Sequence, residues 1–266
     1  VLWAQARGLP ATQFVPVTMG ITAAVYGIAS LATFALLRER AVPRSVAERD
    51  AGLSGALRQL WSTARRAREF ADFSWLLACG VFYQAGIAVV VALAAVYAEQ
   101  ALGFRQAETM MLVFLVNIAA ALGAFGFGYG QDRIGHRRAL AVTLVGWILM
   151  TVLAVAAQGP ALFWVAAVVA GLCMGSSQSA GRAMVGLLAP EDRLAEFFGL
   201  WTFAVRLSAI VGPLTYGVVT WVTNGNHRIA IGATGLFFVA GLLVLAKVDM
   251  RRGMEAARRA GRAVSG

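Results

Sequence analysis

Charges along this chain come in clusters, and between the clusters lie long stretches with none: residues 15–37, 73–98, 109–128, 139–157 and 161–181. Two further apolar stretches, 197–222 and 229–246, contain one charge between them, Arg206. The hydrocarbon core of a bilayer, about 30 Å thick, is crossed by ~20 apolar residues at helical rise, with a working range of roughly 17–25. All seven stretches meet that length. Glycine and β-branched residues within them do not turn them into strands, because lipid leaves an open sheet edge unsatisfied and barrel strands would be about half as long. The pattern predicts an all-α integral membrane protein with seven transmembrane spans.

Composition agrees. Hydrophobic residues make up 59% of the 266 and charged residues 14%, against roughly 45–50% and about 25% in a soluble domain. The polar connections carry the orientation signal. Nineteen of the 23 basic residues fall in alternate connections: the segment 38–68, the turn with Arg133, Arg137 and Arg138, the connection with Arg182 and Arg193, and the segment from Lys247 onward. The opposite connections hold only Arg105 and Arg228. By the positive-inside rule the arginine-rich side faces the cytoplasm, which puts the start of the chain outside and its C-terminus inside. The net charge of +10 is thus spread over four loops on one side of a membrane, where attraction to anionic lipid accounts for it and nucleic acid is not expected as a partner.

Four regions follow: an external segment with the first span (1–37), a basic cytoplasmic loop (38–72), a bundle of six closely spaced spans (73–246) and a basic cytoplasmic tail (247–266). In the loop, Leu57, Leu60, Trp61 and Ala64 share one helical face and Arg58, Arg65, Arg66 and Arg68 surround it. The segment reads as a basic amphipathic helix on the membrane surface or as a solvated linker with partial helicity. The first residue is Val and no signal peptide is visible, so the chain is expected to begin inside a longer membrane protein. Small-residue spacings at Gly171 and Gly175, and at Gly126 and Gly130, are of the kind that lets membrane helices approach closely.

The turn between the third and fourth spans, GYGQDRIGHRRAL, holds Gly128, Asp132, Arg133, Gly135, Arg137 and Arg138. This run resembles the G-x-x-x-D-R-x-G-R-[RK] loop motif of the major facilitator superfamily, with His136 standing where a basic residue is usual. The resemblance implies that the seven spans are helices six to twelve of a twelve-helix transporter working by alternating access, with the missing N-terminal half as partner. A narrower likeness runs from Gly175 to Pro213. Gln178, Arg182, Pro190, Glu196, Phe197, Phe198, Gly199, Gly212 and Pro213 resemble the autophagy-related vacuolar effluxer family and its bacterial relatives. That likeness implies efflux of small solutes, with amino acids as the suspected class and the bacterial inner membrane as the location. One departure concerns the acidic residue of a Y-x-D-G run in that family's seventh helix. Here the run reads Tyr83, Gln84, Ala85, Gly86, so proton coupling through that carboxylate is not available.

Candidate functional residues are the polar groups that lipid makes expensive. Arg206 lies about 13 Å into its span at helical rise, where a charge generally faces a cavity or a partner. It either binds an anionic group of the solute, or pairs with the N-terminal half or snorkels to the interface. Tyr83, Gln84, Asn117 and Gln178 either line the solute path or bond between helices. Gly86 and the pair Gly212 and Pro213 are candidate helix bends, for gating or for packing. Asp132 with Arg133 and Arg137 is expected to form a cytoplasmic gate of salt bridges, the alternative being a topology determinant with an ordinary surface pair.

Enzymatic readings are weak. His136 and His227 fall on opposite sides of the membrane in this topology, and Cys79 and Cys173 lie inside spans, so no metal site, Cys/His pair or disulfide framework is expected. No phosphate-cradling glycine loop is present. The expected partners are a small solute and the bilayer, without cofactor or metal. The alternatives are a drug or sugar exporter of another facilitator branch, or a non-transporting scaffold or lipid-handling half-protein.

Overall fold

The structure is a computed structural model that describes residues 11–36 and 70–265, with side chains described for 15–36 and 70–261. Every element among the described residues is helical, and seven of the helices are long and apolar enough to cross a membrane. The expected amphipathic helix of the basic loop lies outside the described residues.

Helix α1, Ala11–Leu36, belongs to a unit of its own. Pro16 falls in its second turn, and the hydroxyls of Thr22 and Thr33 donate to the carbonyls four residues back. This is how a polar side chain is satisfied within a span.

The second unit holds the remaining elements. Helices α2 (Ala71–Leu102), α3 (Gln106–Ile134), α4 (His136–Ala156), α5 (Pro160–Leu188), α6 (Leu194–Val222) and α7 (His227–Leu245) run up and down. A single 3₁₀ turn, Glu191–Arg193, precedes α6, and α8 (Met250–Ser265) follows α7. Short connections force sequential neighbours antiparallel, so the starts of α2, α4 and α6 share one end of the bundle with the ends of α3, α5 and α7. Among the described residues, that end carries most of the basic side chains, Arg133, Arg137, Arg138, Arg193, Lys247 and Arg252 among them. Two layers result: α5 packs on α3 and α4, and α2 packs on α6 and α7, while α4 against α7 and α2 against α5 join the layers.

Side chains explain the pairing. Trp147 of α4 stacks flat on Phe238 of α7, 5.1 Å between centroids. The Tyr97 hydroxyl of α2 donates to the Ala154 carbonyl of α4 at 2.8 Å. Gly123 of α3 meets the Leu172 backbone of α5, and Gly171 and Gly175 meet the Val116 and Ala120 backbone of α3, leaving no room for a Cβ. Close backbone approach of this kind replaces the hydrophobic drive that lipid cannot supply. Gly126 and Gly130, which show the same spacing, contact nothing that a Cβ would reach. Outward faces remain apolar, with Leu122, Phe125, Leu236 and Leu243 all more than 60% exposed. Water would not tolerate that surface, and lipid favours it.

Two segments fold differently from what their sequence predicts. The glycine-basic run was expected as a polar turn, but α3 continues through Asp132 and Arg133 to Ile134 and α4 starts at His136. Gly135 alone makes the turn, at φ +86°, a conformation that glycine adopts at little cost because it has no Cβ. The segment from Lys247 onward, expected as a tail, folds into α8 because its small residues Gly253 and Ala257 share one face that packs on the bundle.

Candidate functional site

Gln84 and Gln178 meet in the interior. The amide of Gln84 donates to Oε1 of Gln178 at 3.3 Å, and the amide of Gln178 returns a bond to Oε1 of Gln84 at 3.1 Å. Counted from the basic end at helical rise, Gln84 lies about 20 Å along α2 and Gln178 about 15 Å along α5. The pair therefore bridges the two layers well inside the apolar slab. Two amides facing each other satisfy one donor and one acceptor apiece, which is what polar side chains at this depth require.

Polar groups continue around the pair. Trp147 Nε1 donates to Ser177 Oγ at 3.4 Å, and Gln131 Nε2 donates to Ser179 Oγ at 3.5 Å, both from neighbouring helices to α5. Sequence reading did not single out these serines, since short hydroxyls in a span also bond their own helix, as Ser177 does to Cys173. Tyr83 is fully buried against Trp201 and Gly181, and its hydroxyl has no hydrogen-bond partner among the described residues.

Beyond the amide pair, away from the basic end, a cavity of about 210 Å³ opens between α2, α3, α4 and α5. Val90, Val116, Met150, Phe163 and Met174 line it, with Tyr97 and Asn117 supplying its polar edge. Met174 is one turn from Gln178 on the same helix, so the glutamines stand between the cavity and the basic end. Asn117 uses its amide nitrogen on the Val113 carbonyl of its own helix, 2.8 Å away, and leaves its amide oxygen free for the cavity.

Other candidates are placed differently. Arg206 lies at nearly the depth of Gln84, yet it is on the exposed flank of α6, opposite the stripe Phe197, Trp201, Ala204 and Ser208 that packs inward. It has no ion pair or hydrogen bond among the described residues, and it does not approach the glutamines. Gly86 sits inside unbroken α2 with the Phe238 ring where a Cβ would be, and Gly212 lies against the Ala85 backbone. Both glycines serve close packing of α2, and the expected bend is not needed to explain either. Pro213 follows Gly212 within α6, which continues to Val222.

At the basic end, the expected salt-bridge gate is not formed. Asp132, Arg133 and Arg138 are exposed, and Asp132 pairs with no arginine among the described residues. Arg137 instead donates from Nη2 to the carbonyl of Ala246, just past α7, at 2.8 Å. The one-residue turn at Gly135 explains this, since it swings the start of α4 toward the end of α7. At the other end Arg228 does the same to the Ala157 carbonyl at 2.9 Å, and His227 bonds the Tyr216 hydroxyl at 3.0 Å. The two histidines thus lie at opposite ends of the bundle, and no group of three metal-ligating side chains occurs among the described residues.

Comparison with known proteins fits this architecture. Residues 5–258 match the family profile described as "Vacuole effluxer Atg22 like". The chain is 26% identical over 222 residues to autophagy-related protein 22 of Coccidioides immitis, covering 78% of this chain and 37% of that protein. It is 27% identical over 215 residues to autophagy-related protein 22-1 of Neosartorya fischeri, covering 74% and 35%. A Bacillus subtilis protein named as an uncharacterized MFS-type transporter is 21% identical over 151 residues, 56% of this chain and 37% of that one. The chain spans a little over a third of the length of these relatives. With its match extending over almost the whole sequence, this all-helical membrane chain belongs to the Atg22-like vacuole effluxer family.

Proposed function

We propose that this chain forms one half of a membrane transporter that moves a small solute by alternating access, with an amino acid as the solute class and efflux as the direction. The observation that carries this reading is the apolar cavity of about 210 Å³ that lies between α2, α3, α4 and α5, farther from the basic end than the Gln84–Gln178 pair. An aliphatic or aromatic side chain suits the lining of Val90, Val116, Met150 and Phe163, while the Asn117 amide oxygen and the Tyr97 hydroxyl oxygen, which still has acceptor capacity, suit a polar head. Sugar export fits less well, because so few polar groups reach the cavity.

On this reading the basic end is cytoplasmic by the positive-inside rule. Arg206 and the outward faces of α3 and α6 meet the first half of the transporter, where a charge at mid-depth gains an ionic partner or touches an anionic solute. The glutamines do not take up protons, so a gradient, if used, couples elsewhere.

Filling the cavity tests the reading. Ala166→Trp and Ala170→Trp, in the full-length protein reconstituted in liposomes, are expected to abolish flux of the transported amino acid while the protein remains folded and in the membrane. Unchanged flux in both variants would remove this cavity from the solute path.

A further inference from the structure

The helix after the last span is pinned to the bundle by a buried carboxylate. Asp72, the second residue of α2, is 4% exposed and accepts three bonds from one short segment. Arg252 donates from Nε at 2.8 Å and from Nη2 at 2.7 Å, and the backbone N–H of Asp249 donates at 2.7 Å. Asp249 in turn caps α8, its Oδ1 accepting from the N–H groups of Arg251 and Arg252 at 2.9 and 3.1 Å. Gly253 follows, pressed so closely on Leu188 and Asp72 that a Cβ there would collide with both side chains. Leu188 is the last residue of α5.

One turn of α8 therefore grips the first turn of α2 and the last turn of α5. These are the two helices that the Gln84–Gln178 pair bridges farther in. A two-pronged arginine–carboxylate pair is directional as well as strong, and breaking it leaves a carboxylate desolvated and uncompensated. The Arg105–Glu108 and Arg259–Glu255 pairs, by contrast, each join near neighbours on one exposed helix surface.

We infer that α8 is a latch: the Asp72–Arg252 pair holds the ends of α2 and α5 together and so governs how readily the basic end of the bundle opens. Asp72 acts as a positioning residue, since it lines no part of the cavity. The idea builds on the transport reading for its meaning, but the motion it predicts is measurable whether or not any solute moves.

The chain carries its own reporters. Cys79 lies seven residues beyond Asp72 on α2, about 10 Å along the axis, and is fully buried; Cys173 lies on α5 beside Gly146. Alkylation by N-ethylmaleimide of the full-length protein in membrane vesicles, resolved by mass spectrometry of each cysteine peptide, reads the two positions separately. Asp72→Asn and Arg252→Gln are expected to speed labelling of Cys79 roughly tenfold, as opening of the local unit becomes easier, and to leave Cys173 unchanged. The exchanged pair Asp72→Arg with Arg252→Asp is expected to return Cys79 toward its original rate. Arg252→Lys, the mildest change, keeps the charge but not the two-pronged geometry and is expected to fall between, which keeps the test usable if the stronger variants do not reach the membrane. Cys79 rates that do not change in Arg252→Lys and Arg252→Gln overturn the latch. So does equal acceleration of both cysteines, which would signify general loosening. Loss of flux with unaltered labelling would likewise count against the latch while leaving the transport reading intact.

Discussion

Arg137 Nη2 lies 2.8 Å from the carbonyl oxygen of Ala246, so an arginine of the glycine-basic motif closes the C-terminal end of α7. Helix ends leave their last carbonyls unpaired, and a cation there is favoured by the helix dipole as well as by the bond. The motif therefore links the turn between α3 and α4 to the helix that leads into α8. Arg137→Ala is expected to lower the melting temperature of the detergent-solubilised protein by a few degrees, with Arg137→Lys intermediate. Equal melting of all three proteins would show the contact to be incidental.

The paired glutamines are expected to be energetically coupled. Gln84→Ala or Gln178→Ala alone strands a buried amide, whereas the double variant removes both. A double-mutant cycle on unfolding should give a coupling of about 0.5–2 kcal/mol, the range seen for hydrogen bonds between membrane helices. Additive effects would mean that the two amides do not support each other.

Glycines of equal spacing should differ. Gly175→Ala pushes a methyl group into the Ala120 backbone and is expected to cost about 1–3 kcal/mol, whereas Gly126→Ala meets nothing within 4 Å in this bundle. Thermal stability of the two variants measured side by side checks this. A neutral Gly175→Ala would show that α3 and α5 are less closely packed.

For Arg206, transport separates charge from shape. Arg206→Ala is expected to reduce flux strongly and Arg206→Lys to retain part of it, because an ionic partner or anionic solute still finds a cation. Full flux in both variants would leave Arg206 without a role in the path.

Much of the fold was legible because lipid imposes long charge-free runs, and 15–37 through 229–246 translate almost directly into α1 to α7. Element ends were not, because a helix continues past the bilayer wherever its polar groups stay solvated, as α3 does through Asp132 and Arg133. The site was legible only residue by residue. Gln84 and Gln178 stood out as polar groups in apolar runs, but their pairing is separated by 94 positions and depends on α2 meeting α5. Asp72 and Arg252, 180 positions apart, gave no signal at all: an aspartate at the edge of a span and an arginine in a basic segment look like ordinary boundary charges. Gly86 and Gly212 carried the opposite difficulty, since bending and close packing ask for the same residue.

On the proposed transport route, solute crosses between α2 and α5, past the glutamine pair. Counterflow measures it most directly. Liposomes containing the full-length protein, loaded with an unlabelled amino-acid mixture, are presented with labelled amino acids one at a time. Saturable labelled uptake above protein-free liposomes is predicted for at least one amino acid with an apolar side chain, and a large loss of that uptake in the Gln84→Leu, Gln178→Leu double variant. Uptake no greater than in protein-free liposomes across the whole set, or uptake that the double variant leaves intact, would rule out a solute path past the glutamine pair.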